Sequence, residues 1–159
     1  MSTLLFELRV LGKFELTRAG KRITLPRHKT EVLCAFLVLH PEPHAREKLA
    51  ALFWGDSSDA DARNSLRVEL AALRKWIDPA LLLTDRETVQ WNPDVPFRAD
   101  ALQVRDALRA LLQGTESFPD LLACAPNLLP DLYDDWVLEE REALRIQYCD
   151  TLLPHVQRL

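Results

Sequence analysis

Between Ser58 and Asp78 the apolar residues return at helical spacing. At about 100° per residue, Leu66, Leu70, Leu73 and Ile77 fall on one narrow stripe. Arg63, Arg67 and Arg74 form a second line along one flank, while Asn64, Val68, Ala71 and Lys75 point away from the stripe. Ser58 and Asp61 have the spacing of a helix-starting capping box. Asp59 and Asp61 place negative charge at the positive end of the helix dipole. Asp78-Pro79 stops the run, because a residue before proline is pushed out of helical geometry. Taken alone, the stretch is equally the solvated face of an amphipathic helix or a surface that touches a partner. Its surroundings decide between the two.

Upstream, residues 4–11 and 13–17 alternate as strands, with Phe6, Leu8 and Val10 on one face and Phe14 and Leu16 continuing after Gly12. Arg18-Ala19-Gly20 is a turn, and Ile23 with Leu25 begins a third short strand closed by Pro26. This opening is a small antiparallel sheet. From Thr30 to His40 the period changes to that of a helix apolar over most of its surface, hence a buried one. Pro41 and Pro43 end it, and Arg46 to Trp54 is a second, short helix with Leu49, Leu52 and Phe53 inward. Downstream of Pro79, Leu81 and Leu83 alternate into a turn at Asp85-Arg86-Glu87, and Val89 with Trp91 returns as a partner strand. Sheet, two helices, a turn, a basic amphipathic helix and a hairpin make an α+β winged helix-turn-helix.

Asn92-Pro93 and Pro96 mark a linker, so residues 1–93 are expected to form the winged helix and 94–159 a second, all-helical segment. In the second segment, 99–112, 118–124 and 135–153 read as helices whose pairs have tetratricopeptide-like size. Such arrays need about three units to close a core, so the segment ending at Leu159 is expected to be incomplete.

Charge sharpens this division. The net charge of −4 conceals 15 Lys/Arg against 13 Asp/Glu in residues 1–98, and 5 against 11 in residues 99–159. A polyanionic partner therefore belongs to the first segment, and the acidic second segment suits protein contact. Charged residues make up 28% of the chain, a globular rather than disordered composition. No stretch approaches the roughly 18 apolar residues of a membrane span, and MSTLLFELRV lacks the basic start of a signal peptide. Cys34, Cys124 and Cys149 are odd in number and lie in apolar contexts, as buried reduced thiols of a cytoplasmic protein do.

Candidate enzyme chemistry is sparse. Four dispersed glycines form no phosphate-cradling loop. His40 and His44 are kept off a common helical face by Pro41 and Pro43, which speaks against a metal site. Glu139, Glu140 and Glu142 lack a neighbouring histidine or nucleophile and read as a solvated helix face. No catalytic residue, metal or cofactor is expected. Trp54, Trp76, Trp91 and Trp136 close or open apolar runs, which predicts packing roles; Trp76 and Trp91 are expected to seat the wing against the basic helix.

The chain resembles the Streptomyces antibiotic regulatory protein (SARP) type of bacterial transcription factor. The resemblance rests on LRVLGKFELTRAGKRITLP at 8–26, REKLAALFW at 46–54, ARNSLRVELAALRKWI at 62–77 and LLLTDRETVQWNP at 81–93. RADALQV at 98–104 and LLPDLYDDWVLEERE at 128–142 extend it over almost the whole chain. It implies a response-regulator-type winged helix joined to a bacterial transcriptional activator domain. It also implies a recognition helix at about 60–77, a wing at about 81–92, and DNA direct repeats bound by two or more protomers. The hairpin wording is most similar to the N-terminal segment of large multidomain regulators, so a stop at Leu159 fits a short natural variant or an excised fragment. Two departures stand out. Ala71-Ala72 replaces basic side chains of many relatives, and Ala45 replaces a frequent serine cap, a loss of about 1 kcal/mol of helix stability.

On this reading Asn64 can offer a bidentate amide to adenine, Arg67 can fork onto guanine, and Val68 and Ala71 can touch a thymine methyl. Arg63, Arg74 and Lys75 lie nearer the edges and suit phosphate. Arg46 and Lys48 sit in the first turn of the preceding helix, where anions are favoured. Arg86 and Thr88 lie at the wing. The reading that leads is a sequence-specific regulator that binds double-stranded DNA. Its helical segment would meet a second protomer or RNA polymerase, with no membrane involved. The alternative is a protein-interaction module whose winged helix has lost DNA binding.

Overall fold

A computed structural model describes residues 5–114 and 127–156. Its contacts gather the chain into two compact units. One comprises Met1–Phe6 and Leu16–Phe97, the other Glu7–Glu15 and Arg98–Leu159. A first strand, β1 (Phe6–Arg9), runs across that division.

In the first unit, β2 (Glu15–Arg18) and β3 (Lys21–Ile23) pair antiparallel with Leu16 opposite Ile23. Their two-residue connection uses Ala19 at φ 52° and Gly20 at φ 80°. Left-handed geometry at both positions suits the right-handed twist of a hairpin. Then come α1 (His28–Leu39), β4 (His44–Ala45), α2 (Arg46–Phe53) and α3 (Asp59–Trp76). A single 3₁₀ turn, Pro79–Leu81, leads into the hairpin β5 (Leu82–Thr84) and β6 (Thr88–Trp91). The third strand of the opening sheet thus starts two residues earlier than the Ile23–Leu25 pattern suggested. The wing also has a strand that the periodicity did not reveal. His44 pairs with Val89 and Ala45 with Thr88, giving a three-stranded sheet in the order β4-β6-β5. Two residues are too few to show an alternation.

α1 is buried nearly all round, as its composition demands. Val32, Leu33 and Leu37 pack in the core with Leu49 and Phe53 of α2, Leu66, Leu70 and Leu73 of α3, and Val89 and Trp91 of β6. The Ser58 hydroxyl caps α3 by accepting from the Asp61 amide at 3.2 Å. At the other end Asp78 accepts from the Ala80 amide at 2.7 Å and turns the chain. One charged side chain of α3 is buried with its apolar stripe. Glu69 accepts from Arg27 Nε at 2.7 Å and from the Thr30 hydroxyl at 2.5 Å, both at the start of α1. There the α1 dipole also favours a carboxylate.

The second unit contains α4 (Asp100–Leu112) and a long helix, α5 (Asp135–Val156). Val104, Leu108 and Leu111 of α4 meet Leu144 and Leu152 of α5, with Leu11 and Tyr148 packed against them. Arg105 and Glu140 form an ion pair between the two helices. Glu142 pairs with Arg145 at 2.5 Å on the exposed side of α5, where Glu139 is also exposed; of the three glutamates expected on a solvated face, Glu140 instead turns to α4. Arg141 donates to the carbonyls of Leu128 at 2.7 Å, Leu132 at 2.8 Å, and Leu129, so one side chain holds the preceding loop onto α5. Asp100 accepts from the amides of Val10 at 3.0 Å and Leu11 at 3.1 Å. The helix expected at 118–124, and Cys124 within it, lie outside the described residues.

Cys34 is fully buried, and burial pushes its thiol up to about 12. Cys149 is half-buried rather than buried. A thiol reacts as its thiolate, so Cys34 should resist iodoacetamide at pH 8 in the folded protein and label only on unfolding. Equal native labelling of Cys34 and Cys149, read by peptide mass spectrometry, would contradict this packing. Replacing Glu69 by Ala leaves the buried Thr30 hydroxyl without its acceptor. Urea unfolding should show a loss of about 1–3 kcal/mol, and an unchanged midpoint would contradict the buried role of Glu69.

Candidate nucleic-acid interface

The buried residues of α3 are Ala62, Leu66, Glu69, Leu70, Ala72 and Leu73. At about 100° per residue the centre of this set lies opposite Asn64, Ala71, Lys75 and Val68, and those four are exposed. Helical periodicity therefore turns one amide, two small apolar side chains and one ammonium to solvent. Ala72 is different: it is only 8% exposed, because it lies at the edge of the packed side. Of the two alanines expected to stand for lost basic contacts, only Ala71 occupies an outward position.

Arg63, Arg67 and Arg74 follow the flank beside the hairpin. Arg74 is half-buried and donates to the Thr84 hydroxyl of β5 at 2.5 Å, which binds α3 to the wing. Arg63 and Arg67 are exposed. Arg63 Nε donates to the Asp59 carbonyl at 3.3 Å, and Arg67 donates to Asn64 Oδ1 at 2.9 Å. The second bond holds the Asn64 amide and the Arg67 guanidinium in fixed mutual orientation.

The wing tip is built on Asp85. One carboxylate oxygen accepts from the Glu87 amide at 2.7 Å and the Thr88 amide at 2.6 Å, and the other from the Thr88 hydroxyl at 3.1 Å. The two backbone amides, then the hydroxyl, hold the Asp85 carboxyl below the usual aspartate range. The Thr88 hydroxyl thus donates within the turn. Arg46 is held against the same turn: its amide donates to the Glu87 carbonyl at 2.8 Å and its Nε to the Asp85 carbonyl at 2.9 Å. Ala45 supplies no side-chain cap for α2, and the Glu87 carbonyl accepts from the first amide of that helix, that of Arg46. Lys48 and Arg86 are exposed.

Between the start of α2, the flank of α3 and the wing tip lies a groove of about 520 Å³. Arg46, Arg63, Arg67 and Arg86 line it with Glu47, Glu87, Ala45 and Leu66. The acidic members, Glu47 and Glu87, were not singled out in the sequence. Trp91 is buried and meets Phe97 edge-on at 4.8 Å. Trp76 is 48% exposed, and its ring lies under the Lys75 ammonium at 5.8 Å, so it does not seat the wing. It is the last residue of α3, where the helix ends. His44 Nε2 lies 2.7 Å from the His40 carbonyl. Among the described residues no group of three or more His, Cys, Asp or Glu is arranged to hold a metal, and no helix is long and apolar enough to cross a membrane.

Three helices followed by a hairpin that flanks the last of them make a winged helix-turn-helix. No family model matches the chain, and no curated protein matches it. Among solved structures the fold is similar to that of EmbR from Mycobacterium tuberculosis, determined in complex with a low-affinity phosphopeptide. The TM-score is 0.67 at 24% identity, over 96% of this chain and 44% of that one. The likeness is one of fold, and the chain spans less than half the length of EmbR.

Because Asp85 titrates below its ordinary value, the contribution of its turn is present at neutral pH. It is lost as pH falls through that lowered value. The amide resonances of Glu87 and Thr88 should follow this titration with a midpoint below the ordinary aspartate value, and Asp85→Asn should abolish it. A midpoint at or above the ordinary value would contradict the turn geometry.

Proposed function

We propose that this chain is a sequence-specific transcriptional regulator of the SARP type that binds double-stranded DNA. The observation that carries the reading is the exposed face of α3, opposite its buried stripe and flanked by arginines and a wing. A helix about 10–12 Å across fits the major groove, and the hairpin then reaches the adjacent groove or backbone. The fold shared with EmbR and the resemblance of the quoted segments to SARP regulators support the same reading. The winged helix corresponds to residues 1–93, and residues 94–159 form a tetratricopeptide-like, activator-type segment. The acidic balance of that segment suits contact with a second protomer on direct repeats or with RNA polymerase. The protein works in the cytoplasm, without a cofactor and without catalysing a reaction.

Neutralising several phosphates makes affinity fall steeply with salt. A labelled-duplex titration should therefore show binding at low salt that weakens by about 10³-fold or more between 50 and 200 mM. Arg63→Ala/Arg67→Ala should reduce affinity at every salt concentration. Absence of binding at low salt, or a double variant equal to the parent, would leave the protein-interaction reading in its place.

A further inference from the structure

The two exposed sides of α3 differ in chemistry. Towards the wing, four guanidiniums gather round one groove: Arg46, Arg63, Arg67 and Arg86. Two carboxylates, Glu47 and Glu87, share its lining, so the groove keeps an excess of two positive charges. Arg46 is held in place through its amide and Nε by the wing carbonyls of Glu87 and Asp85. Planar guanidiniums fork onto phosphate oxygens, and opposed sides of a groove can engage one strand as it passes between helix and wing. The other side, directly opposite the buried stripe, offers Asn64, Val68 and Ala71, with Lys75 one turn further on. An amide and apolar groups match base edges and the thymine methyl and have little affinity for phosphate. The bond from Arg67 to Asn64 Oδ1 orients that amide from the flank.

Resting on the reading that α3 enters a duplex, we infer a division of labour. Arg46, Arg63, Arg67 and Arg86 clamp the phosphates of one DNA strand, while Asn64, Val68 and Ala71 read the bases. Arg67, whose residue type alone suggests a guanine contact, is a backbone contact and a positioning residue for Asn64. Glu47 and Glu87 oppose the strand and limit how tightly any sequence is held.

The test joins selection from a random duplex pool with salt titrations of the full chain. Arg86→Ala should weaken selected and scrambled duplexes alike, keep the selected sequence, and lower the salt slope by about one phosphate. Arg67→Ala should lower the slope equally, and Arg67→Lys should restore it. Asn64→Ala should leave the slope unchanged and lose roughly 5- to 150-fold of discrimination at one base pair. Glu87→Gln should tighten binding to all duplexes. The division is overturned if Arg86→Ala or Arg67→Lys alters the selected sequence, or if Asn64→Ala lowers the slope with the sequence intact. Failure of the unsubstituted chain to bind any duplex would overturn the underlying reading, and this inference with it.

Discussion

The rotation of α3 about its own axis is the constraint on which the rest of the first unit depends. An apolar stripe alone sets that rotation loosely, because leucines pack acceptably over a range of angles. Glu69 removes the slack. Its carboxylate is buried with the stripe and meets two donors on fixed sites at the start of α1, Arg27 and Thr30. Hydrogen bonds are directional, and a buried carboxylate without them is costly. With Glu69 locked inward, Asn64, Val68, Ala71 and Lys75 face outward and the three arginines face the hairpin.

The wing is fastened to the helices by polar contacts at both of its strands. Arg74 reaches Thr84 on β5, and Arg46 reaches the carbonyls of Asp85 and Glu87 at the tip. β4 adds a short ladder to β6 immediately before α2 begins. The connection between α1 and α2 is thereby tied to the same hairpin as α3. A change at the Asp85 turn reaches α2 through Arg46, which couples the first turn of one helix to the wing.

Much of this was legible in the sequence, and the reasons are specific. The all-apolar period of α1, the stripe of α3, its Ser58 cap and the stop at Asp78-Pro79 are local signals, and the elements formed where those signals lay. The exposed face of α3 followed from the same periodicity. Features made by distant pairing were not legible. β4 has two residues, and the wing that accepts it lies more than 40 positions away. Glu69 looked like any helical glutamate until Arg27 and Thr30 came beside it. Arg46 and Thr88 carried the right chemistry for phosphate, but nothing in their local sequence showed that the turn at Asp85 would bond to both. Trp76 shows the converse: an aromatic at the end of an amphipathic run was expected to pack, and at the last residue of α3 it stays exposed.

Among the described residues of the second unit, Arg141, Asp100 and the Arg105–Glu140 pair hold loops and helices in place. The central claim concerns one surface, the outward face of α3 with its wing. Amide-resolved NMR of the full chain, titrated with a duplex obtained by selection, tests it most directly. The account predicts that the largest perturbations fall on Arg63, Asn64, Arg67, Ala71, Lys75 and Arg86. Perturbations confined to residues 100–112 and 135–156, with α3 and the wing unmoved, would contradict it.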